Sequence, residues 1–128
     1  MELQSRPTVL LIDFDPDILK LMEYVFEGED LELITCRTPE EGLRILSARR
    51  VGCLLLDVHF AHTPECFGLL DALRALPDGP NLPVLVTSAM QEVEISRRVL
   101  ALGARKFIPK PFYPGEILDE IREALVVH

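Results

Sequence analysis

The sequence is poor in basic residues, and this shortage limits the partners that the protein can have. Its 128 residues include 13 Lys and Arg against 21 Asp and Glu, which gives a formal net charge of −8 at pH 7. Binding to a nucleic-acid backbone or to an anionic membrane requires basic patches, so we expect neither interaction. A cationic partner or a metal ion suits this charge better.

Several other features are missing, and each absence excludes a class of protein. No apolar run approaches the ~20 residues of a membrane-spanning helix, and the first seven residues lack the apolar core of a signal peptide. Because repeats and low-complexity linkers are also missing, we place residues 1–128 in a single domain. Cys36, Cys53 and Cys66 include no Cys-x-x-Cys pair, which favours reduced thiols in a cytoplasmic protein.

Three short apolar runs end on acids or hydroxyls, and the rest of the chain is organised around them. The central run has four apolar residues without alternation, which is typical of a strand covered on both faces in a parallel sheet. Ligands of open α/β sheets bind beyond the carboxyl ends of the strands, so we expect one shared crevice. The runs and the polar residues after them are 8–12 with Asp13, 53–56 with Asp57, and 82–86 with Thr87 and Ser88.

Amphipathic helical segments alternate with the strands. Pro16 marks the start of a first helix, and the capping box of residues 38–41 marks a second. Right-handed crossovers then give a three-layer α/β sandwich with a five-stranded parallel sheet. We predict strands over 8–13, 31–36, 51–57, 82–88 and 104–108, a loop over 58–67, a third helix over 68–76, and two later helices with apolar stripes at 95–102 and 117–125.

Asp13 and Asp57 lie at the ends of adjacent strands and predict a site for a cation. Two nearby carboxylates repel each other unless a cation neutralises them, and hard oxygen ligands with open positions suit Mg²⁺. Ser88 adds a hydroxyl, and Lys110 adds a compact charge that suits a phosphoryl oxygen. Taken singly, these residues are ordinary helix caps or a solvated lysine, but together they are the groups that phosphoryl transfer needs.

The same residues lie in motifs that point to a known family. With these motifs the chain resembles the receiver domains of bacterial two-component response regulators over nearly its whole length. The resemblance implies a flavodoxin-like (βα)5 fold with strand order 2-1-3-4-5. The motifs occupy residues 9–18 (VLLIDFDPDI), 54–57 (LLLD), 83–89 (PVLVTSA), 102–104 (LGA) and 110–112 (KPF).

The resemblance assigns roles to the candidate residues. It implies that Asp57 is the phosphoacceptor and receives a phosphoryl group from a histidine kinase or a phosphotransfer protein. Ser88 matches the hydroxyl that turns toward the phosphoryl group, and we prefer it to Thr87 because its spacings to Pro83 and Lys110 fit the family better. Lys110 matches the lysine that binds the phosphate. Such a domain is a phosphoacceptor with at most slow self-dephosphorylation and is not an enzyme in the usual sense.

Output is expected through the surface of helix 4, strand 5 and helix 5. Phe107 matches the aromatic switch residue of the family, and the bond between Lys110 and Pro111 is expected to be cis. Val93 and Leu100 fall off the apolar stripe of the fourth helix, so we expect them to be exposed. The resemblance therefore implies a homodimer or a separate output protein as a further partner.

The predicted metal site departs from the family. The second of two adjacent acids, a direct Mg²⁺ ligand, is replaced by Phe14, which leaves Asp13, Asp57 and the backbone carbonyl of His59. Asp15 is a tentative substitute. Losing even an outer-shell group costs ~10–100-fold in metal affinity, so we expect a weakened Mg²⁺ site.

The loop after Asp57 also differs from the pattern of the family. It lacks the Met-Pro pair of the family, and Gly68 stands about three residues later than the glycine of the family. The phosphorylation pocket is therefore either degraded or remodelled, which leaves a phosphorylation-independent interaction or dimerisation module as an alternative.

Two further alternatives remain open. Residues 13–15 (Asp-Phe-Asp) also resemble the nucleophile motif of haloacid-dehalogenase-type phosphatases, with Asp13 as nucleophile, although no acidic pair for magnesium follows Lys110. His59, His62 and Cys66 could hold a soft metal, although their spacing is irregular and a fourth ligand is missing.

Overall fold

The computed structural model describes residues 6–59, 62–90 and 93–126. Within them, five parallel strands form one sheet in the order β2-β1-β3-β4-β5, as the resemblance implied. The order reverses between β1 and β3, and this is where ligands bind in doubly wound sheets. The strands are β1 (Thr8–Ile12), β2 (Glu32–Cys36), β3 (Cys53–Asp57), β4 (Val84–Ser88) and β5 (Lys106–Pro109).

Helices cover both faces of the sheet and bury two apolar layers. α1 and α5 pack on one face, and α2, α3 and α4 pack on the other. The α-helices are α1 (Pro16–Phe26), α2 (Pro39–Ala48), α3 (Thr63–Ala72), α4 (Val93–Ala101) and α5 (Pro114–Leu125), with 3₁₀ turns at Leu73–Ala75 and Gly79–Asn81. No helix in the described ranges is long and apolar enough to cross a membrane.

The unbroken apolar sequence of β3 is explained by burial on both faces. Leu54 and Leu56 point into the layer beneath α2, α3 and α4, while Cys53 and Leu55 point into the layer beneath α1 and α5. All four side chains are at most 1% exposed. Each buried leucine contributes about 1.5–3 kcal/mol relative to an exposed one, so this strand anchors the fold.

The predicted starts of α1 and α2 are confirmed. The Asp15 carboxylate caps α1 by accepting a hydrogen bond from the Asp17 amide at 2.9 Å. The Thr38 hydroxyl caps α2 by accepting from the Glu41 amide at 3.2 Å. These starts are readable from sequence because a cap involves residues that are neighbours in the chain.

The predicted start of α3 is wrong. The helix begins at Thr63 and not at residue 68, so the loop after Asp57 is shorter than expected. Pro64 and Glu65 stand in the first turn, where proline and an acid are both favourable. Gly68 lies inside the helix and does not begin it, and a Cβ there would meet no atom within 4 Å.

Other boundaries differ by one or two residues. β1 ends at residue 12, one residue before the predicted end, and β2, β3, β4 and β5 begin at residues 32, 53, 84 and 106, later than the predicted 31, 51, 82 and 104. A 3₁₀ turn at Gly79–Asn81 and a turn at Gly103, whose φ is +107°, come shortly before the late starts of β4 and β5. The three cysteines are free and buried, and burial raises the pKa of Cys53 and of Cys66 to about 12.

Candidate functional site

The carboxyl ends of three strands bring Asp13, Asp57 and Lys110 into one cleft, and a fourth strand places Thr87 beside Asp57. Asp13 directly follows β1, Asp57 ends β3, Thr87 lies in β4 and Lys110 directly follows β5. The cleft has a volume of about 500 Å³. It is lined by Asp13, Phe14, Asp15, Pro16, Ile18, Asp57, Val58, His59, Ala89, Met90 and Lys110.

Lys110 bridges the two buried carboxylates. Its Nζ lies 3.0 Å from Asp13 Oδ2 and 3.0 Å from Asp57 Oδ1. Asp13 and Asp57 are 1% and 7% exposed, so little water screens this interaction. One positive and two negative charges leave the cluster net negative, and it can therefore attract another cation.

The pKa values of the cluster reflect burial and mutual charge. Burial raises the pKa of Asp13 above its usual value, and the charge of Asp57 raises it further, against the lowering effects of the Asp15 amide and Lys110. Burial by itself would lower the pKa of Lys110, but the charges of Asp57 and Asp13 together raise it above its usual value. Lys110 is therefore a permanent cation at neutral pH.

The two hydroxyls at the end of β4 have different partners. Thr87 Oγ1 donates a hydrogen bond to Asp57 Oδ1 at 3.2 Å. Ser88 Oγ donates to the Val58 carbonyl at 3.0 Å and accepts from the Met90 amide at 2.9 Å. The hydroxyl that contacts Asp57 is therefore that of Thr87, which the sequence argument had set aside in favour of Ser88.

Strand geometry explains why Thr87 was missed. Side chains alternate between the faces of a strand, and the register of β3 with β4 places Thr87 directly beside Asp57. The family spacing that selected Ser88 carries no information about this register. The assignment of Ser88 to the phosphorylated state remains a prediction.

Two of the four predicted metal ligands, Asp13 and Asp57, lie together beside the ammonium group of Lys110. The Asp15 carboxylate caps α1, and the His59 carbonyl accepts hydrogen bonds from the His62 amide at 2.8 Å and the Thr63 hydroxyl at 3.1 Å. The described ranges contain no group of three or more His, Cys, Asp or Glu residues placed to hold a metal. Asp13 and Asp57 remain, and their hard oxygens fit a Mg²⁺ that keeps several waters.

Phe14 stands at the mouth of the cleft. Its ring is 39% exposed and lies 5.3 Å from the ring of His59 and 4.7 Å from the ring of His62, centroid to centroid. The guanidinium of Arg37 lies 5.0 Å from the centre of the Phe14 ring, and its Nε donates to the Phe14 carbonyl at 3.1 Å. An aromatic cluster therefore occupies the position at which the family has its second acid.

The proposed soft-metal set is not brought together. Cys66 is buried and its Sγ donates to the Asp57 carbonyl at 3.6 Å, while His62 pairs with Glu65 at 3.5 Å. The two histidine rings lie 6.1 Å apart, centroid to centroid. Cys66 faces the core because it lies on the buried side of α3.

Two of the expectations that the resemblance and the helical stripe gave for this part of the chain are confirmed. The bond between Lys110 and Pro111 is cis, as expected. Val93 and Leu100 are 71% and 46% exposed, as their positions off the apolar stripe predicted. Phe107 is half-buried against the core beneath α2, α3 and α4, and its switching role remains a prediction.

Comparison with known proteins agrees with the fold. The family model of the response regulator receiver domain matches residues 9–122. The transcriptional regulatory protein CpxR of Escherichia coli K12 is 33% identical over 91% of this chain, which spans only 48% of CpxR. An uncharacterized 14.6 kDa protein of Leptolyngbya boryana is 25% identical over 96% of this chain and 93% of its own length.

A solved structure gives the same result. The CheY-like response regulator receiver domain protein of Methanospirillum hungatei JF-1 superposes with a TM-score of 0.83 and is 26% identical, with 94% of each chain covered. The matches extend along almost the whole described chain, so the dehalogenase-type phosphatase is not the family indicated. The chain belongs to the response regulator receiver domain family, whose members act in two-component signal transduction.

Proposed function

We propose that Asp57 accepts a phosphoryl group from a phosphohistidine on a histidine kinase or phosphotransfer protein. The observation that carries the proposal is the Lys110 bridge, because it gathers Asp13 and Asp57 around one cation in an open cleft. A carboxylate that only capped a helix would need no lysine from a distant strand. The contact between Lys110 and Asp13 joins residues that are 97 positions apart in the chain.

The transfer requires a nucleophile and groups that neutralise the moving charge. A lone pair of an Asp57 carboxylate oxygen forms the new O–P bond while the P–N bond of the donor breaks. The electron pair of that bond returns to the donor ring, which leaves as neutral imidazole once its other nitrogen carries a proton. Lys110 is placed to neutralise the phosphoryl oxygens as charge moves from Asp57 toward them. A Mg²⁺ held by Asp13 and Asp57 would add further charge neutralisation.

The first experiment tests whether Asp57 is a phosphoacceptor. With Mg²⁺ and acetyl phosphate, intact-mass analysis should show slow, partial addition of one phosphate that is absent in Asp57→Ala. Following the mass after the donor is removed measures self-dephosphorylation, which we expect to be slow. Absence of labelling even with the cognate kinase would instead favour a phosphorylation-independent interaction module.

The second experiment tests whether Phe14 weakens the metal site. Phe14→Asp restores the acid of the family, so the Mg²⁺ concentration needed for half-maximal labelling should fall at least ~10-fold. Phe14→Leu is the matched control, because it also removes the aromatic cluster but adds no ligand. Stoichiometric labelling of the wild-type protein at low Mg²⁺ would contradict this part of the proposal.

We further propose that α4, β5 and α5 form the output surface. Support comes from Val93 and Leu100, large apolar side chains that α4 leaves exposed. Light scattering with and without acetyl phosphate separates a switched dimer from a constitutive one. Leu100→Glu should abolish either dimer without changing the labelling of Asp57, because this exposed side chain lies outside the cleft.

A further inference from the structure

We propose that Thr87 is a positioning residue for the phosphoacceptor. Its hydroxyl and Lys110 together hold Oδ1 of Asp57 and leave Oδ2 as the oxygen that attacks phosphorus. This inference deepens the proposed function and rests on it, since it names the attacking atom of the same reaction.

Both contacts to the Asp57 side chain converge on one oxygen. Thr87 Oγ1 lies 3.2 Å and Lys110 Nζ lies 3.0 Å from Oδ1. Within residues 6–59, 62–90 and 93–126, no hydrogen bond joins a side chain or amide to Oδ2, and the 3.0 Å contact of Lys110 is made with Oδ1. With Oδ1 held at two points, the carboxylate plane is set and the lone pairs of Oδ2 remain available for bond formation.

Thr87 is itself held firmly. It is 2% exposed and lies within β4, where its backbone is paired in register with Asp57 of β3. A β-branched side chain has few χ1 choices, so burial within a sheet restricts the hydroxyl to a narrow range of directions. Ser88 cannot share this task in the same arrangement, because its hydroxyl is bonded to Val58 and Met90 on the other face of the strand.

The same contacts suit the product. When Oδ2 attacks acetyl phosphate, the O–P bond forms, the P–O bond of the donor breaks, and acetate leaves with the electron pair. No proton is transferred, and total charge is conserved. Oδ1 then becomes the carbonyl oxygen of an acyl phosphate, and it can keep Thr87 and Lys110 as donors. Thr87 therefore fixes the reacting geometry without having to move during the reaction.

The experiment compares hydroxyl removal with hydroxyl retention. Labelling with acetyl phosphate and saturating Mg²⁺ is followed by intact mass over a range of donor concentrations. Thr87→Val should lower the limiting rate constant about tenfold or more, the loss expected for a hydrogen bond to a charged group, with little change in the half-saturating donor concentration. Thr87→Ser should restore the rate to within about twofold, because it keeps the bond.

A matched control exists at the other end of the sheet. Thr8 Oγ1 donates to Glu32 Oε1 at 2.8 Å, which is also a bond from a strand threonine to a carboxylate. Thr8→Val should leave the labelling rate unchanged. If Thr87→Val does not fold, as judged by circular dichroism and urea unfolding, Thr87→Ser and Thr87→Ala carry the test, because they differ only in the hydroxyl.

The outcomes separate this inference from the proposed function. If the wild-type protein is labelled and Thr87→Val is labelled at the same rate, the positioning role is overturned, while Asp57 stays the proposed phosphoacceptor. Equal slowing in the serine and valine variants also overturns it, because packing and not the hydroxyl would then be responsible. If the wild-type protein gains no phosphate at all, the proposed function fails and the positioning role fails with it.

Discussion

Each end of the sheet contains a threonine hydroxyl, a carboxylate and a basic side chain in contact, but in different surroundings. At the amino end, Thr8 and Arg49 both contact Glu32 Oε1, at 2.8 and 3.2 Å. At the carboxyl end, Thr87 and Lys110 both contact Asp57 Oδ1. The side chains of Arg49 and Glu32 are 46% and 42% exposed, whereas those of Lys110 and Asp57 are 18% and 5% exposed.

The pKa values of acids at the two ends are shifted in opposite directions, and burial is the reason. The hydrogen bond from Thr8 has the largest effect and lowers the pKa of the exposed Glu32; burial opposes it, and Arg49 lowers the pKa further. For the buried Asp13, burial and the charge of Asp57 outweigh the bonds from the Asp15 amide and Lys110, so its pKa is raised. Water screens the first cluster, while the second retains an excess of negative charge that a cation or a phosphoryl group can use.

The larger of the two cavities does not lie at the carboxyl end, where the candidate site is. The groove at the amino end has a volume of about 870 Å³, larger than the 500 Å³ of the cleft at the carboxyl end. Arg49, Arg50 and Arg105 lie along it, but Arg49 and Arg50 are paired with Glu32 and Asp78. Buried and incompletely compensated charge distinguishes the carboxyl end, for which we propose the function, and cavity volume does not.

The largest expected difference concerns removal of the cation. Lys110→Met leaves two carboxylates buried without their partner, so the free energy of unfolding at pH 7 should fall by about 3 kcal/mol. Arg49→Met removes an exposed partner and should cost less than about 1 kcal/mol. Urea unfolding in a chelating buffer measures both. Equal losses would mean that burial does not separate the two clusters as argued.

The next difference is the direction of the pH dependence. The folded pKa of Asp13 is raised above 3.8, so its contribution to stability is present below that pH and is lost as the pH rises through the folded value. The folded pKa of Glu32 is lowered below 4.5, so its contribution is present above that pH and is lost as the pH falls.

Two variants measure these opposite signs. In chelating buffer, Asp13→Asn should gain stability relative to the wild-type protein as the pH rises from about 4 toward 7. Glu32→Gln should be less stable than the wild-type protein at higher pH, and this difference in the free energy of unfolding should disappear as the pH falls below about 4.5. Urea midpoints across this pH range test both expectations, and slopes of the same sign would contradict the comparison.

The smallest expected effect is the response to salt. The Debye length falls to about 3 Å at 1 M salt, so the small deficit of Arg49→Met should disappear there. Most of the deficit of Lys110→Met should remain, because little solvent enters the buried cluster. A deficit of Lys110→Met that disappears together with that of Arg49→Met would mean that water already screens the cleft.

Local signals explain why much of the fold could be predicted. The Asp15 and Thr38 caps involve residues at most three positions apart, and Pro16 and Pro39 take the first helical positions that suit proline. The start of α3 was missed because Gly68 was taken as a boundary, although Thr63-Pro64-Glu65 already begins a helix. A glycine on an exposed helix face is tolerated at a modest cost and need not mark an end.

The sequence alone determined the class of fold and the acids of the site. An apolar run without alternation has to be buried on both faces, and a polar residue that ends it has to emerge at the edge of the sheet where ligands bind. The tertiary structure decided which hydroxyl contacts Asp57 and which oxygens remain for a metal. Those choices depend on the register of β3 with β4 and on competing partners such as the Asp17 amide for Asp15. Neither is a property of any single segment of the chain.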